Sequence, residues 1–313
     1  MNSNLTLIHP DTIPSKISSL KESTTQLPEM NLDIDYLKKN FAHKRDEHIL
    51  FDEPTHVYTI LSDPGQKYTS VTTWNHSHFE EFNSDAIISS MMKSKKWQPG
   101  HKYFGMTPDE IKLIWDKNRD EAAKAGTLMH YQIECFMNLG QFLPDNKKPT
   151  LGDLWEYYTN NPSSLNITSC IEWDYFEKFV ENHSHFKPYR TEWTVFHEDV
   201  KLSGSIDMVF YDPDDENNLL IYDWKRSKEI VKINGWNKTS HREEISHLPD
   251  SNYWHYSLQL NTYKKILEDK YDKKITNMYL VCIHPENKKK SYEKIKVADL
   301  SEEMTELFNS LKK

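Results

Sequence analysis

Asp207, Asp223 and Lys225 are the side chains of this sequence best placed to do chemistry, and all three lie in the stretch Leu202–Lys225. Two apolar runs there, Ile206–Tyr211 and Leu219–Tyr222, flank a polar segment that contains Pro213. This pattern predicts a hairpin of two strands around a polar turn. Asp207 then lies near the start of the first strand, with Asp223 and Lys225 at the end of the second. Side chains alternate faces along a strand, so Leu219, Ile221, Asp223 and Lys225 share one face. The Asp207 carboxylate can join them across the hairpin. Converging carboxylates are costly unless a cation lies between them. Mg²⁺ suits such a pair, since it is commonly held by one or two carboxylates together with substrate phosphates. The same residues also fit an ordinary Asp–Lys pair on a wet strand end.

Other residues could serve such a centre. His130 and Glu134 are spaced i,i+4 and share one face of a predicted helix, with His130 as a candidate site residue or the two as a surface pair. One histidine and one glutamate do not make the zinc-protease pattern, which needs two histidines. Gln259 and Tyr263 repeat the i,i+4 spacing on a later helix. Their amide and hydroxyl can hydrogen-bond a phosphate backbone or a water, or simply pack. Glu192 lies in an alternating run, on the face opposite Trp193. Lys95, Lys96 and Trp97 end a predicted helix, a mixture that suits phosphate contact with base stacking and equally a favourable helix C-terminus. The segment 226–249 follows Lys225 directly and carries Arg226, Lys228, Lys232 and Lys238 around Trp236. A basic loop leaving a phosphate-handling centre is a natural clamp for a nucleic-acid backbone.

Periodicity and turn residues give the elements that must position these groups. Residues 1–50 are polar and read as a flexible arm, with a short helix at Leu32–Asn40. Thr55–Thr73 reads as a hairpin turning at Asp63-Pro64-Gly65. Helices follow at Phe79–Ser94, from Thr107-Pro108, and over Asn118–Leu139, the last with a break at Gly126 and small residues that permit close approach. The insertion Leu143–Thr168 holds a short helix, and Cys170–His183 a longer one. A strand at Tyr189–Glu198 precedes the hairpin; a helix at Tyr253–Tyr271, strands at Ile275–Ile283 and Tyr292–Val297, and a helix at Ser301–Leu311 follow the basic loop.

Composition narrows the function classes. The 313 residues suffice for one large domain or two small ones. With 37% hydrophobic and 12% aromatic residues, the chain has the means to build a core. A net charge of −9 is not that of an obvious nucleic-acid binder, but the local field decides, and a Mg²⁺ centre itself needs acids. Cys135, Cys170 and Cys282 are scattered, which argues against a disulfide framework, structural zinc or an iron–sulfur cluster and fits a reducing, intracellular compartment such as cytoplasm or nucleus. Neither a transmembrane-length apolar run nor a basic-then-apolar leader is visible, so no membrane is expected as partner.

Four motifs in order resemble those of the PD-(D/E)XK nuclease superfamily. Gly204-Ser205-Ile206-Asp207 followed by Asp223-Trp224-Lys225 resembles its G-x-x-D…D-x-K signature. Gly126–Glu134 resembles the histidine motif of the RecB-like branch, and Gln259-Leu260-Asn261-Thr262-Tyr263 its Q-x-x-x-Y motif. Within that branch the chain is similar to the mitochondrial genome maintenance exonuclease and viral relatives, over Asn118–Lys296. The resemblance implies an α/β (mixed α+β), restriction-endonuclease-like core with a central mixed β-sheet flanked by helices, spanning 118–313. The arm 1–50 and a hairpin-and-helix subdomain 51–117 then form an N-terminal extension. The resemblance also implies that Asp207 and Asp223 bind metal with His130 near or on it, that Lys225 is the catalytic lysine, and that Glu192, Gln259 and Tyr263 complete the site. Mg²⁺ or Mn²⁺ is the implied cofactor, and DNA with a free single-stranded end the implied partner. The activity expected is a metal-dependent DNA exonuclease leaving 5′-phosphates, in replication, recombination or repair, within a host cell if the chain is viral. A flap endonuclease of the same fold and a catalytically silent nucleic-acid-binding scaffold are the alternatives.

Overall fold

A computed structural model describes residues 32–144 and 148–312. The expected arm therefore lies outside the described residues up to position 31. Helix α1 (Tyr36–Asn40) leads into a strap pinned to the core by charge. Asp46 there accepts hydrogen bonds from the buried Arg190 guanidinium at 2.7 Å and the Trp193 indole at 3.0 Å. Strands β1 (Ile49–Asp52) and β2 (Val57–Ile60) pair antiparallel in a small separate sheet. The hairpin thus turns at residues 53–56, not at Asp63-Pro64-Gly65. Asp52 accepts from the Thr55 backbone N–H at 3.2 Å, and His56 takes a left-handed φ of 55°. Beyond Gly65 the chain does not return to β2. β3 (Thr69–Ser70) joins the main sheet and α2 (Val71–His76) follows, because Tyr68 packs on Phe196 while Val71 and Trp74 enter the core.

α3 (Ser84–Met92) starts where the Asn83 side chain accepts from the Ala86 N–H at 2.9 Å, later than expected. α4 (Pro108–Met137) is one helix of 30 residues where two were expected. Thr107 and Glu110 form the anticipated capping box. Gly126 costs the helix roughly 1 kcal/mol relative to alanine, but buried Ile111 on one side and Ile133 and Phe136 on the other anchor both halves. A Cβ built on Gly126 meets nothing within 4 Å, so this glycine is not a point of close approach.

α5 (Leu151–Asn160) and α6 (Ile171–Asn182) lead to the central sheet. β4 (Pro188–His197), β5 (Leu202–Tyr211) and β6 (Leu219–Lys225) form an antiparallel meander. α7 (Asn252–Lys270) crosses over to β7 (Ile275–Cys282), which runs parallel to β6, as a parallel pair requires. β8 (Glu293–Lys296) closes the edge antiparallel to β7, and α8 (Ser301–Leu311) follows. The main sheet is therefore mixed. Alternation sorts its side chains into two cores. Val209, Ile221 and Leu280 pack with α2, α7 and α8; Phe210, Tyr222 and Trp224 pack with α4, α5 and α6. The result is the restriction-endonuclease-like core that was expected, with helices on both faces and an N-terminal extension. No described helix is long and apolar enough to cross a membrane.

β5 and β6 pair only from Met208↔Tyr222 to Tyr211↔Leu219. Upstream, the same edge of β5 is taken by β3, at Leu202 and Ser203. Downstream, β6 continues beside β7 alone, as far as Lys225↔Cys282. The sheet thus forks, and Asp207 and Asp223 are the first residues on the two prongs.

Candidate active site

A fork strands backbone groups that a continuous ladder would satisfy. Here side chains take over. The Trp224 N–H donates to Asp207 Oδ2 at 2.9 Å, and His130 Nε2 lies 2.9 Å from the Trp224 carbonyl. A carbonyl can only accept, so Nε2 carries a proton, and Nδ1 is the ring nitrogen on the Asp207 side. Nδ1 stands 3.6 Å from Asp207 Oδ2. α4 thereby brings His130 across the sheet to the fork.

On the other edge of β5, the pairs Thr191↔Met208 and Trp193↔Ile206 set Glu192 opposite Asp207. Glu192 has φ of 45°, a left-handed conformation that costs a glutamate energy inside a strand and turns its side chain out of the regular pleat. Ser205 Oγ donates to Glu192 Oε2 at 3.1 Å. One ligand atom from each of His130, Glu192 and Asp207 lies within 4.8 Å of the others. Burial pushes the Glu192 carboxyl well above the usual range, and Asp207, Glu134 and Asp223 add to the effect.

Asp223 falls outside that three-residue group. Its Oδ2 is 3.0 Å from Lys225 Nζ, on the face shared with Ile221 as strand alternation requires. Oδ2 is buried, and among the described residues this ion pair is its close polar contact. Burial, with Asp207, raises the Asp223 carboxyl to about 7 against the opposing pull of Lys225 and His130. Lys225 also sits over the Tyr256 ring, 4.6 Å from its centroid.

α7 packs Gln259 and Tyr263 against β5. Both are buried, and Gln259 is a hydrogen-bond partner of the Tyr263 hydroxyl. A Cβ on Gly204 would lie 2.9 Å from both Cε1 and the hydroxyl of Tyr263. Gly204 is therefore required by the close approach of α7, which holds the strand that presents Asp207.

The basic residues lie elsewhere and are mostly engaged. Arg226 Nε bonds Glu172 at 2.8 Å, Lys228 pairs with Glu286 at 2.6 Å and Lys238 with Glu80 at 2.6 Å. Lys232 lies over the Tyr253 ring, and Trp236 is 59% exposed. Lys95 and Lys96 are exposed, while Trp97 packs beside His101 and Phe104. Sequence reasoning did not place three neighbours of the centre. Glu134 adds negative charge near Glu192, and burial lifts its own carboxyl to about 7. Tyr58 is buried within electrostatic range of Glu192 and Tyr263. Tyr256 underlies Lys225; its position one turn before Gln259 and two before Tyr263 was the available signal.

These side chains fit a divalent ion. One imidazole and several carboxylate oxygens form an oxygen-rich donor set, and burial together with the neighbouring carboxylates pushes Glu192 and Asp223 upward, a penalty that a bound cation would relieve. Comparison with curated proteins finds no match. The family profile of the PD-(D/E)XK nuclease superfamily matches residues 109–313, the span that contains α4, the fork and α7. The forked sheet with its acidic prongs and adjacent lysine agrees with that match, and the chain belongs to the PD-(D/E)XK nuclease superfamily.

Proposed function

We propose that this protein is a metal-dependent DNA exonuclease that hydrolyses phosphodiester bonds to leave 5′-phosphates. We place it in the RecB-like branch, near the mitochondrial genome maintenance exonuclease, with a role in DNA replication, recombination or repair. The observation that carries the reading is the fork, where His130, Glu192 and Asp207 converge beside an Asp223–Lys225 pair. Mg²⁺ or Mn²⁺, when bound, supplies charge neutralisation at the phosphate and acidifies water. His130, Glu192 and Asp207 hold the ion, and Asp223 completes the negative surround. Lys225 offsets charge that develops in the pentavalent transition state. Its ammonium lies between a carboxylate at 3.0 Å and an aromatic face, an environment that suits an electrostatic role better than proton abstraction. Gln259 and Tyr263 position β5. Arg226, Lys228, Lys232 and Lys238 with Trp236 form the clamp on the DNA backbone, Lys228 and Lys238 exchanging surface carboxylates for phosphates.

The test uses 5′- and 3′-labelled single-stranded, double-stranded and flap DNAs with Mg²⁺ or Mn²⁺, and a circular single strand as control. Chelator-sensitive degradation of linear DNA, with the circle left intact, is expected. Cleavage of the circle would assign endonuclease action instead, and absence of metal-dependent cleavage on every substrate would remove the nuclease reading.

A further inference from the structure

A groove of about 1020 Å³ runs between β2 and α4, with residues 63–73 as a third wall. None of the residues assigned to the active site lines it. Lys67 and Arg119 contribute cations, and Ser70 and Thr73 contribute hydroxyls. Lys67 is exposed and makes no ion pair with a described carboxylate. Arg119 pairs with Asp116 and with Asp120, which also lines the groove, in exposed ion pairs. Asp63, the other acid in the wall, is neutralised by Lys201 and bonded by the Tyr68 hydroxyl.

Two features join this groove to the carboxylates. Tyr58 lines the groove, and its buried phenol is within electrostatic range of Glu192 and Tyr263. One residue of the groove wall is thereby linked to the carboxylate centre. The second feature is helical phase. Arg119 and His130 lie on the same side of α4, about 17 Å apart along its axis at 1.5 Å per residue. Between them on that side are Ala122, Ala123 and Gly126, and Gly126 faces open space. No bulky side chain of α4 interrupts the path. One turn before Arg119, Trp115 packs with Tyr103 at 6.2 Å and Phe82 at 6.3 Å. Beyond Tyr103 come the rings of His101 and Trp97. The exposed Lys93, Lys95 and Lys96 immediately precede Trp97 in the chain and make no ion pair with a described carboxylate. Rings with unpaired lysines suit bases that have no partner strand.

We propose that the groove between β2 and α4 carries a nucleic-acid single strand from the aromatic group at Trp115 to the carboxylates at the fork, with its phosphates on Lys67 and Arg119. This rests on the nuclease reading above and adds the strand's path.

The experiment measures binding of a fluorescent oligothymidylate to full-length Asp207→Asn protein, which binds without cutting, across a range of salt concentrations. Lys67→Glu and Arg119→Gln, added separately, should each weaken binding at least tenfold. Each should also flatten the slope of log affinity against log salt by about 0.7, the value for one phosphate contact on a single strand. Thr59→Lys adds a cation to an exposed position of the same wall and should tighten binding, a gain that misfolding cannot produce. A hairpin duplex of equal length should bind more weakly than the strand. Wild-type affinity and slope in all three variants would overturn the groove while leaving the nuclease reading intact. Duplex binding as tight as strand binding would overturn the single-stranded state. Failure of the Asp207→Asn protein to bind nucleic acid of any form would instead overturn the nuclease reading itself.

Discussion

Asp223→Asn should make the metal-free protein more stable at pH 8 while abolishing its chemistry. Asp223 is 2% exposed, and burial lifts its carboxyl from an ordinary 3.8 to about 7. An acid whose folded pKa is raised binds its proton more tightly in the folded state. Its contribution to stability is complete below the ordinary value and is lost as pH rises through the folded value, here between about pH 4 and pH 7. At ~1.4 kcal/mol for each tenfold change, the whole shift represents ~4 kcal/mol, of which ~3 kcal/mol falls above pH 5. An asparagine has no charge to bury and escapes this penalty. Other groups titrate in the opposite sense: burial holds His78 and His183 at about 4, so they favour the folded state as pH rises. The informative quantity is therefore the difference between variant and wild type, measured in chelator by denaturant and thermal unfolding. That difference should shift in favour of the variant by up to ~3 kcal/mol from pH 5 to pH 8, at about 2–4 °C of Tm per kcal/mol. Mn²⁺ should restore the wild type at pH 8 far more than the variant, and labelled DNA should remain uncut by the variant. A stability difference that is the same at pH 5 and pH 8 would refute the argument that burial disfavours the charged form of Asp223.

Three further outcomes are expected. Lys225→Ala should abolish cleavage of labelled DNA with an unchanged circular dichroism spectrum, because it removes the cation 3.0 Å from Asp223; near-wild-type turnover would exclude its electrostatic role. His130→Ala should lower the single-turnover rate at least tenfold, about 1.4 kcal/mol in barrier, and weaken Mn²⁺ binding measured by calorimetry; a wild-type rate at saturating DNA would take His130 out of the site. Gly204→Ala should destabilise the fold by about 1–3 kcal/mol, since its Cβ meets Tyr263 at 2.9 Å; a double-mutant cycle with Tyr263→Ala should recover part of that loss, and strict additivity would show that the two residues do not touch.

Local regularities made much of this protein legible in its sequence. Strand alternation set Asp223 and Lys225 on one face, and the structure brings them to 3.0 Å. Thr107-Pro108 with Glu110 announced the start of α4, and the polar turn around Pro213 announced the pairing of β5 with β6. These features depend on neighbours within a few residues, which is the range over which periodicity and capping act. The tertiary structure decided the rest. β1 pairs with β2, and Val71 and Trp74 are drawn into the main core instead of a strand beside β2, which no local turn signal reveals. Continuity of α4 through Gly126 rests on buried contacts at both ends of the helix. Whether a lysine of the basic loop already has a carboxylate depends on residues as distant as Glu80 and Glu286. The grouping at the fork is the clearest case. Sequence places Asp207 beside Asp223, but the place where β5 and β6 part is set by β3 and β7, strands that flank them from far along the chain. That parting frees the Trp224 backbone for Asp207 and His130, and the left-handed Glu192 turns toward the same space, so the convergence of three ligands is a property of the folded sheet alone.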